Sequence, residues 1–438
     1  MIYNLFLALF LLLASTAMAH SGKPSHHVVV ETDGSDDDFG AICLLLANPE
    51  IVTIGIVIDN TLLESQSIIS EIDSLLHNLY HEGIAVVAEK DAGAFLDKCA
   101  QSYPNDITLV SLGKSSVFTK WISKDGSNKD NVKKIIVHSS SMDEGLTDLK
   151  ALSCNSPVYV VENRSNIFFP CLQYAQKLIN VNSPYARQIQ RCWHIDYSNI
   201  KSIGSAILPV YFSCSILFEK THYNGIKTYK LQSGIPNEFV FEIVKNLLTS
   251  RDRHHGQTFK KFPIDSSLYD YHIAPHVSHT IKKYGMTEWK AVCMTNDIHG
   301  HTGIYSIVGA KMGIRALEYF NVGVNSLEVI SFAGSKPPLS CFNDGLQISS
   351  GATIGQGLIS ISDSVSKIPS AVFEFNDSQI HICVKPTIAA KMQRDIKYGI
   401  TAYGLKTPAY WRYIETMAIR YWTEFDRHNV FDITKINE

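Results

Sequence analysis

The chain has 438 residues, 45% of them hydrophobic, enough for two domains of ordinary size. Its formal net charge is −3 and no basic stripe interleaved with aromatics occurs, which argues against nucleic acid as a partner. Nine cysteines include no C-x-x-C pair, which excludes a zinc ribbon or a thioredoxin-type redox pair, and the odd number leaves at least one thiol unpaired in an exported monomer.

Leu5–Leu13 is an apolar run too short to span a bilayer, and Ala17-Met18-Ala19 is a small-x-small cleavage site. Residues 1–19 therefore read as a secretory signal peptide and the mature chain as exported, periplasmic or secreted; Met1–Asn4 lacks Lys or Arg, which leaves a retained anchor open. No later apolar segment is long enough for a stable membrane span. After the polar lead-in Ser21–His27, strands are predicted at Val28–Val30, Val52–Ile58, Ile84–Ala88, Ile107–Leu112, Lys134–His138 and Val158–Val161. Helical patterns fall between them at Phe39–Leu46, Ser65–Leu79 and Val117–Ile122, and after them near Cys171–Ile179 and Ala186–Cys192. This rhythm predicts an α/β domain with a doubly wound, mostly parallel sheet covered on both faces. Ile207–Phe212, Leu217–His222 and Thr228–Leu231 read as later strands and Phe239–Leu248 as a closing helix.

Thr249–Phe262 is polar and aperiodic and reads as the junction between a domain at 26–250 and a second at 265–438. The second half reads as a smaller α+β domain. Thr302–Phe320 forms one long helix whose Gly303, Gly309 and Gly313 permit close packing against another backbone. Strands follow at Leu327–Phe332, Leu358–Ser362, Ala371–Phe375 and Gln379–Val384, with a helical tail over Pro408–Phe425.

The chemistry concentrates in two places. Asp33, Asp36, Asp37 and Asp38 crowd the turn between the first strand and the first helix, at the strand end where open α/β sheets hold their ligands. Complementing the positive end of a helix needs one or two acids, not four. A hard divalent cation with oxygen ligands accounts for the rest. In the second half, His299-Gly300-His301 precedes the long helix, and Cys341 and Asp344 follow about forty residues later. Such nitrogen, sulfur and oxygen donors suit zinc or another transition metal. The alternative is that a His caps the helix and Cys341 is a core residue.

Glu31-Thr32-Asp33-Gly34-Ser35-Asp36-Asp37-Asp38-Phe39-Gly40-Ala41 resembles the D-x-D-P-G-x-D-D-x-x-A signature of the inosine/uridine-type nucleoside hydrolases, and Asp59-Asn60-Thr61 is similar to their G-N-x-x. The resemblance implies a doubly wound domain holding Ca²⁺ through Asp33 and Asp38, with a carbonyl from Ser116. Asp33 would also be the catalytic base, activating a calcium-bound water to attack the ribose C1′ of a nucleoside, while Asp37 and Asn60 bind the ribose hydroxyls. Glu31 replaces the family's leading Asp, Gly34-Ser35 its Pro-Gly, and Ser111–Ser116 its G-P-L-T-N. Glu144 is a degenerate trace of the E-x-N motif. The late His-Asp pair has no clean counterpart: Ser202–Ala206 falls there by pattern, and Asp265 is a poor substitute beyond the junction.

The second pair of motifs resembles the formylmethanofuran dehydrogenase E-like (FmdE-like) domain, with Cys341, Asp344, Gln347, Gly351, Thr353, Gly355 and Gly357 on its C-x-x-D-x-x-Q-x-x-x-G-x-T-x-G-x-G pattern. Gly309 and Lys311 fit its G-x-R helix, while Gly303 stands at a Cys of the family and Ala352 at a second frequent one. The resemblance implies a metal-binding, dimeric α+β domain with His299, His301, Cys341 and Asp344 as ligands. Three functions stay open: an exported nucleoside hydrolase with a small-molecule, ribose-containing substrate, a non-catalytic protein that binds nucleoside, ribose or metal, or a metal-dependent enzyme whose reaction centres on Cys341 of the second domain.

Overall fold

The computed structural model describes residues 26–59, 62–113, 115–124, 129–139, 152, 157–162, 177–178, 181, 183–193, 204–249, 262–362, 364 and 367–436. The predicted signal peptide, the helical stretch near Cys171 apart from residues 177–178, Cys192's side chain, Glu144, Asn60 and most of the junction lie outside these residues. Two compact units are distinguished, Pro24–Asp252 with Glu318–Asn321, and Arg253–Leu317 with Val322–Glu438. Among the described residues no helix is long and apolar enough to cross a membrane.

In the first unit, β-branched runs form β1 (His26–Thr32), β2 (Ile51–Ile58), β3 (Ala85–Ala88), β4 (Ile107–Ser111), β5 (Val132–Ser139) and β6 (Val158–Glu162), joined at one edge by the hairpin β7 (Phe218–Tyr223) and β8 (Ile226–Leu231). Their order is β3-β2-β1-β4-β5-β6-β8-β7, parallel throughout except for β7. The expected doubly wound, mostly parallel α/β sheet is therefore present. Alternation along β1 splits the core in two: Val28 and Val30 pack on one face, Val29 on the other. The first face carries α1 (Asp36–Ala47), α2 (Leu62–Asn78), α5 (Pro184–Trp193), α6 (Ile207–Ser213) and α7 (Asn237–Thr249). The second carries α3 (Glu89–Ser102) and α4 (Ser116–Ser123). Strand order reverses at β1, flanked by β2 and β4, so the connections after β1 and β4 leave in opposite directions and open a crevice at their carboxyl ends.

One predicted strand is a helix. Ile207–Phe212 lies in α6, where Pro209 sits in the first turn and loses no helical hydrogen bond, and where Ile207, Leu208 and Val210 are buried. A short apolar run does not distinguish the two conformations by periodicity.

The second unit has α8 (Val277–Tyr284), α9 (Met286–His299), α10 (Ile304–Phe320), α11 (Phe342–Ser350), α12 (Pro386–Tyr403) and α13 (Pro408–Glu424) with a five-stranded sheet. The sheet order is β10 (Ile359–Ile361), β9 (Glu328–Ser331), β11 (Ser370–Phe375), β12 (Ser378–Val384), β13 (Phe431–Ile436); only β10 and β9 are parallel. Close approach of α10 and α11 is reciprocal. A Cβ on Gly309 would lie 2.1 Å from the Phe342 carbonyl oxygen, and one on Gly345 2.1 Å from that of Ser306. Beneath them Glu288 is wholly buried and pairs with two cations, Lys311 through Oε1 and Arg427 through Oε2 at 2.9 Å. Lys311 also lies 4.0 Å over the Tyr284 ring, and burial holds its ammonium below the usual lysine range.

Glu288 thus places one negative charge between two buried cations. Removing that charge takes a buried carboxylate from both, so Glu288→Gln is expected to lower the unfolding free energy by about 3–5 kcal/mol. Denaturant titration of the full chain checks this, and a loss below about 1 kcal/mol contradicts it.

Candidate functional site

The acidic loop sits at the carboxyl edge of β1, as the sequence indicates, but its acids differ sharply in environment. Glu31 is buried and stands beside Val57 and Ser111 of the flanking strands. Its Oε1 accepts the Val117 N–H of α4 at 2.8 Å, while Oε2 is buried without a partner. Burial pushes its carboxyl up to about 8, outweighing that N–H. Asp38, in the first turn of α1, is 2% exposed and accepts the Thr32 hydroxyl at 2.6 Å. Burial, with repulsion from Asp37 and Asp33, pushes it up to about 8 as well.

Asp33 and Asp37 are only partly buried and line the solvent side of the same turn. Asp33 Oδ1 accepts the Ser35 N–H at 3.0 Å and its Oδ2 faces Gly113 beyond β4. Asp37 Oδ1 accepts the Ser35 hydroxyl at 3.0 Å. Gly34, with φ at +79°, takes the left-handed conformation that lets the chain turn here. Ser116 opens α4, and its hydroxyl donates to Asp59 Oδ1 at 2.6 Å, bringing the end of β2 into the group. Asp33, Asp37, Asp38 and Ser116 therefore share one strand edge. Asn60 lies outside the described residues.

His138 is a site residue that no sequence motif marks. It sits near the end of β5, 9% exposed, with Nε2 buried and unpartnered. Burial lowers its imidazole below the usual range, while the Asp37 charge and the backbones of Leu112 and Gly204 pull it up. The available signal was its place at the end of a predicted strand adjoining the acidic turn. Gly204, Ser205 and Ala206 are all buried and bring no titratable side chain to this edge. Asp265 belongs to the other unit and caps its own turn, accepting the Ser267 N–H at 2.9 Å.

In the second unit, His299 ends α9, with Gly300 as its left-handed cap at φ +77°. His299 Nδ1 and Asp344 Oδ2 are 2.7 Å apart, and the His301 ring lies 4.3 Å from the His299 ring. Cys341 immediately precedes α11, and burial with the Asp344 charge pushes its thiol up. Asp344 thus orients the His299 ring, the outer-carboxylate role found behind metal-bound imidazoles. His299 Nε2 is buried and unpartnered, against Gly303, where a Cβ would stand 3.1 Å away.

Fit to a metal differs between the two places. Among the described residues, no three His, Cys, Asp or Glu side chains form a ready metal-holding group. In the first unit the orphaned Glu31 Oε2 and the buried Asp38 beside Asp33 nevertheless suit a hard cation, which would keep both carboxyls ionised. In the second unit only His299 shows a ligand's pattern, and its unpartnered nitrogen faces Gly303, a position with no side chain to add a donor.

A family model described as FmdE, Molybdenum formylmethanofuran dehydrogenase operon, matches residues 298–420. No curated protein matches the chain. Among solved structures, the chain is similar to a plant nucleoside hydrolase, PpNRh1, at TM-score 0.42 and 14% identity, over 52% of this chain and 100% of that one. It is similar to the inosine-uridine preferring nucleoside hydrolase of Bacillus anthracis at TM-score 0.41 and 10% identity, over 51% and 99%. For the purine-preferring ribonucleoside hydrolase of Gardnerella vaginalis the values are 0.39 and 13%, over 51% and 99%.

Glu31 and Asp38 keep protons in the cation-free fold that they lose when unfolded near pH 4. Their contribution is fully present below that value and is lost as pH rises through about 8. In EDTA the melting temperature should fall from pH 5 to pH 8, and Asp38→Asn should flatten the fall. Thermal scans across pH test this; identical slopes in both proteins would contradict it.

Proposed function

We propose that the first unit is an N-ribosyl hydrolase acting on a nucleoside, with calcium as its cation. The observation that carries the reading is the layering of one turn: Glu31 and Asp38 buried beneath, Asp33 and Asp37 facing outward, all at a strand-order reversal. Calcium held by Asp33, Asp38 and the Ser116 carbonyl would supply the positive charge that ionises the buried pair and acidifies water. Asp33 would take the proton of the attacking water. Asp37, with Asn60, suits a vicinal diol, which donates to a carboxylate and accepts from an amide. Attack forms the bond from water oxygen to C1′ and breaks the bond to the base nitrogen, which leaves with the electron pair and gains a proton from solvent. The acids oppose the positive charge that develops on the sugar.

A second reading has one observation behind it. Gly204–Ser205–Ala206 offers no group to protonate a leaving base, which favours a protein that holds a nucleoside or ribose without cleaving it. For the second unit we infer a zinc or other transition ion at His299, with His301 and Cys341 as further donors and Asp344 orienting the ring. Export and pairing of this domain as a dimer belong to the same reading, as does the exclusion of nucleic acid.

Inosine and uridine, assayed with calcium and with EDTA, separate the readings. Ribose release should require calcium, and Asp33→Ala should lower kcat about 10²–10⁴-fold. Tight inosine binding by calorimetry with no release at calcium saturation would instead establish the binding protein.

A further inference from the structure

The second unit contains a half-open cavity of about 670 Å³, within the range of small-ligand sites and separate from the acidic turn. Its lining combines two chemistries. Tyr269 and Phe262 supply aromatic surface, with the fully buried Trp422 bordering it, and Asp270, Asp297 and Glu415 supply negative charge. No Lys or Arg lines it among the described residues.

The aromatic wall is built rather than incidental. Trp422 stacks on Trp289 with ring centroids 4.4 Å apart and planes at 18°. Trp289 Nε1 donates to the Tyr269 hydroxyl at 2.9 Å, and that hydroxyl donates to the Pro263 carbonyl at 2.6 Å. Tyr269 is therefore fixed by its polar end, and its ring is what remains for a ligand. At the mouth, Leu268 and Ile298 are 69% and 66% exposed, with Met294 beside them in the lining. Exposed aliphatic side chains around a concave site favour an apolar ligand body.

Aromatic faces attract cations through their quadrupole, and carboxylates reinforce that attraction. In the lining three acids face a single imidazole, His301, so an anionic ligand meets net repulsion and a neutral one gains nothing from the acids. We propose that this cavity binds a small organic cation, an ammonium carried on an aromatic or hydrocarbon body. The site stands independently of the ribosyl-hydrolase reading.

Calorimetry on the full chain with 2-phenylethylammonium, 2-phenylethanol and phenylacetate tests the proposal, since the three share one body and differ in charge. The ammonium should bind at least tenfold more tightly than the alcohol, and the acid most weakly. The Asp270→Asn/Glu415→Gln double variant should lose about tenfold for the ammonium and change less than twofold for the alcohol. Both carboxylates are at least partly exposed, so the variant should keep its near-ultraviolet circular dichroism. Equal affinity for all three probes, binding of none, or an ammonium affinity untouched by the double variant would each overturn the proposal.

Discussion

Burying a carboxyl group without a countercharge is the constraint around which the first unit is organised. Glu31 and Asp38 sit under the turn that follows the central strand, and each keeps its proton near neutral pH unless a cation enters. The sheet makes that position unavoidable. Ladders to Val57 and to Ser111 fix the backbone of Glu31, and the Val117 N–H holds its Oε1 in the buried position. The neighbouring acids add repulsion that a proton or a positive charge relieves. Structure and chemistry meet at this point: the proposed ion would offset the cost of burying these two carboxyls.

The second unit solves a similar problem internally. Glu288 is just as buried, yet Lys311 and Arg427 reach it, and its network serves the packing of the helices rather than a ligand. Gly309 and Gly345 allow the backbones of α10 and α11 to meet, and Asp344 of α11 reaches His299 at the end of α9. His301 joins them by a ring contact, while among the described residues no three of the donors form a metal-holding group. The aromatic cavity lies along the same helix, α9, and takes Gly300 and His301 of the His-Gly-His motif into its lining beside residues such as Tyr269 and Glu415 that no motif marks.

Much of this architecture was legible in the residues. Val28–Val30 followed by four acids and a buried apolar run dictates strand, turn and helix, because alternation and charge leave few other arrangements. Other features depend on tertiary context. Ile207–Phe212 is apolar enough for either conformation, and its helix is set by packing against the first core. Met286–His299 buries a helical stripe, but that stripe includes the polar Glu288 and Thr295 while Met294 and Ile298 are exposed, so its hydrophobic pattern is faint, and Pro386–Tyr403 keeps only Met392, Ile396 and Gly399 buried. The site was half visible. Sequence locates Asp33, Asp37 and Asp38 together, but burial alone separates Glu31 and Asp38 from the others and reveals His138, whose strand carries no motif.

The most direct measurement is proton release on calcium binding, followed by calorimetry at pH 7 in buffers of different ionisation enthalpy. Ionising Glu31 and Asp38 around a bound ion should release about one to two protons per calcium. Calcium that binds without releasing protons, or that does not bind at all, would contradict the account.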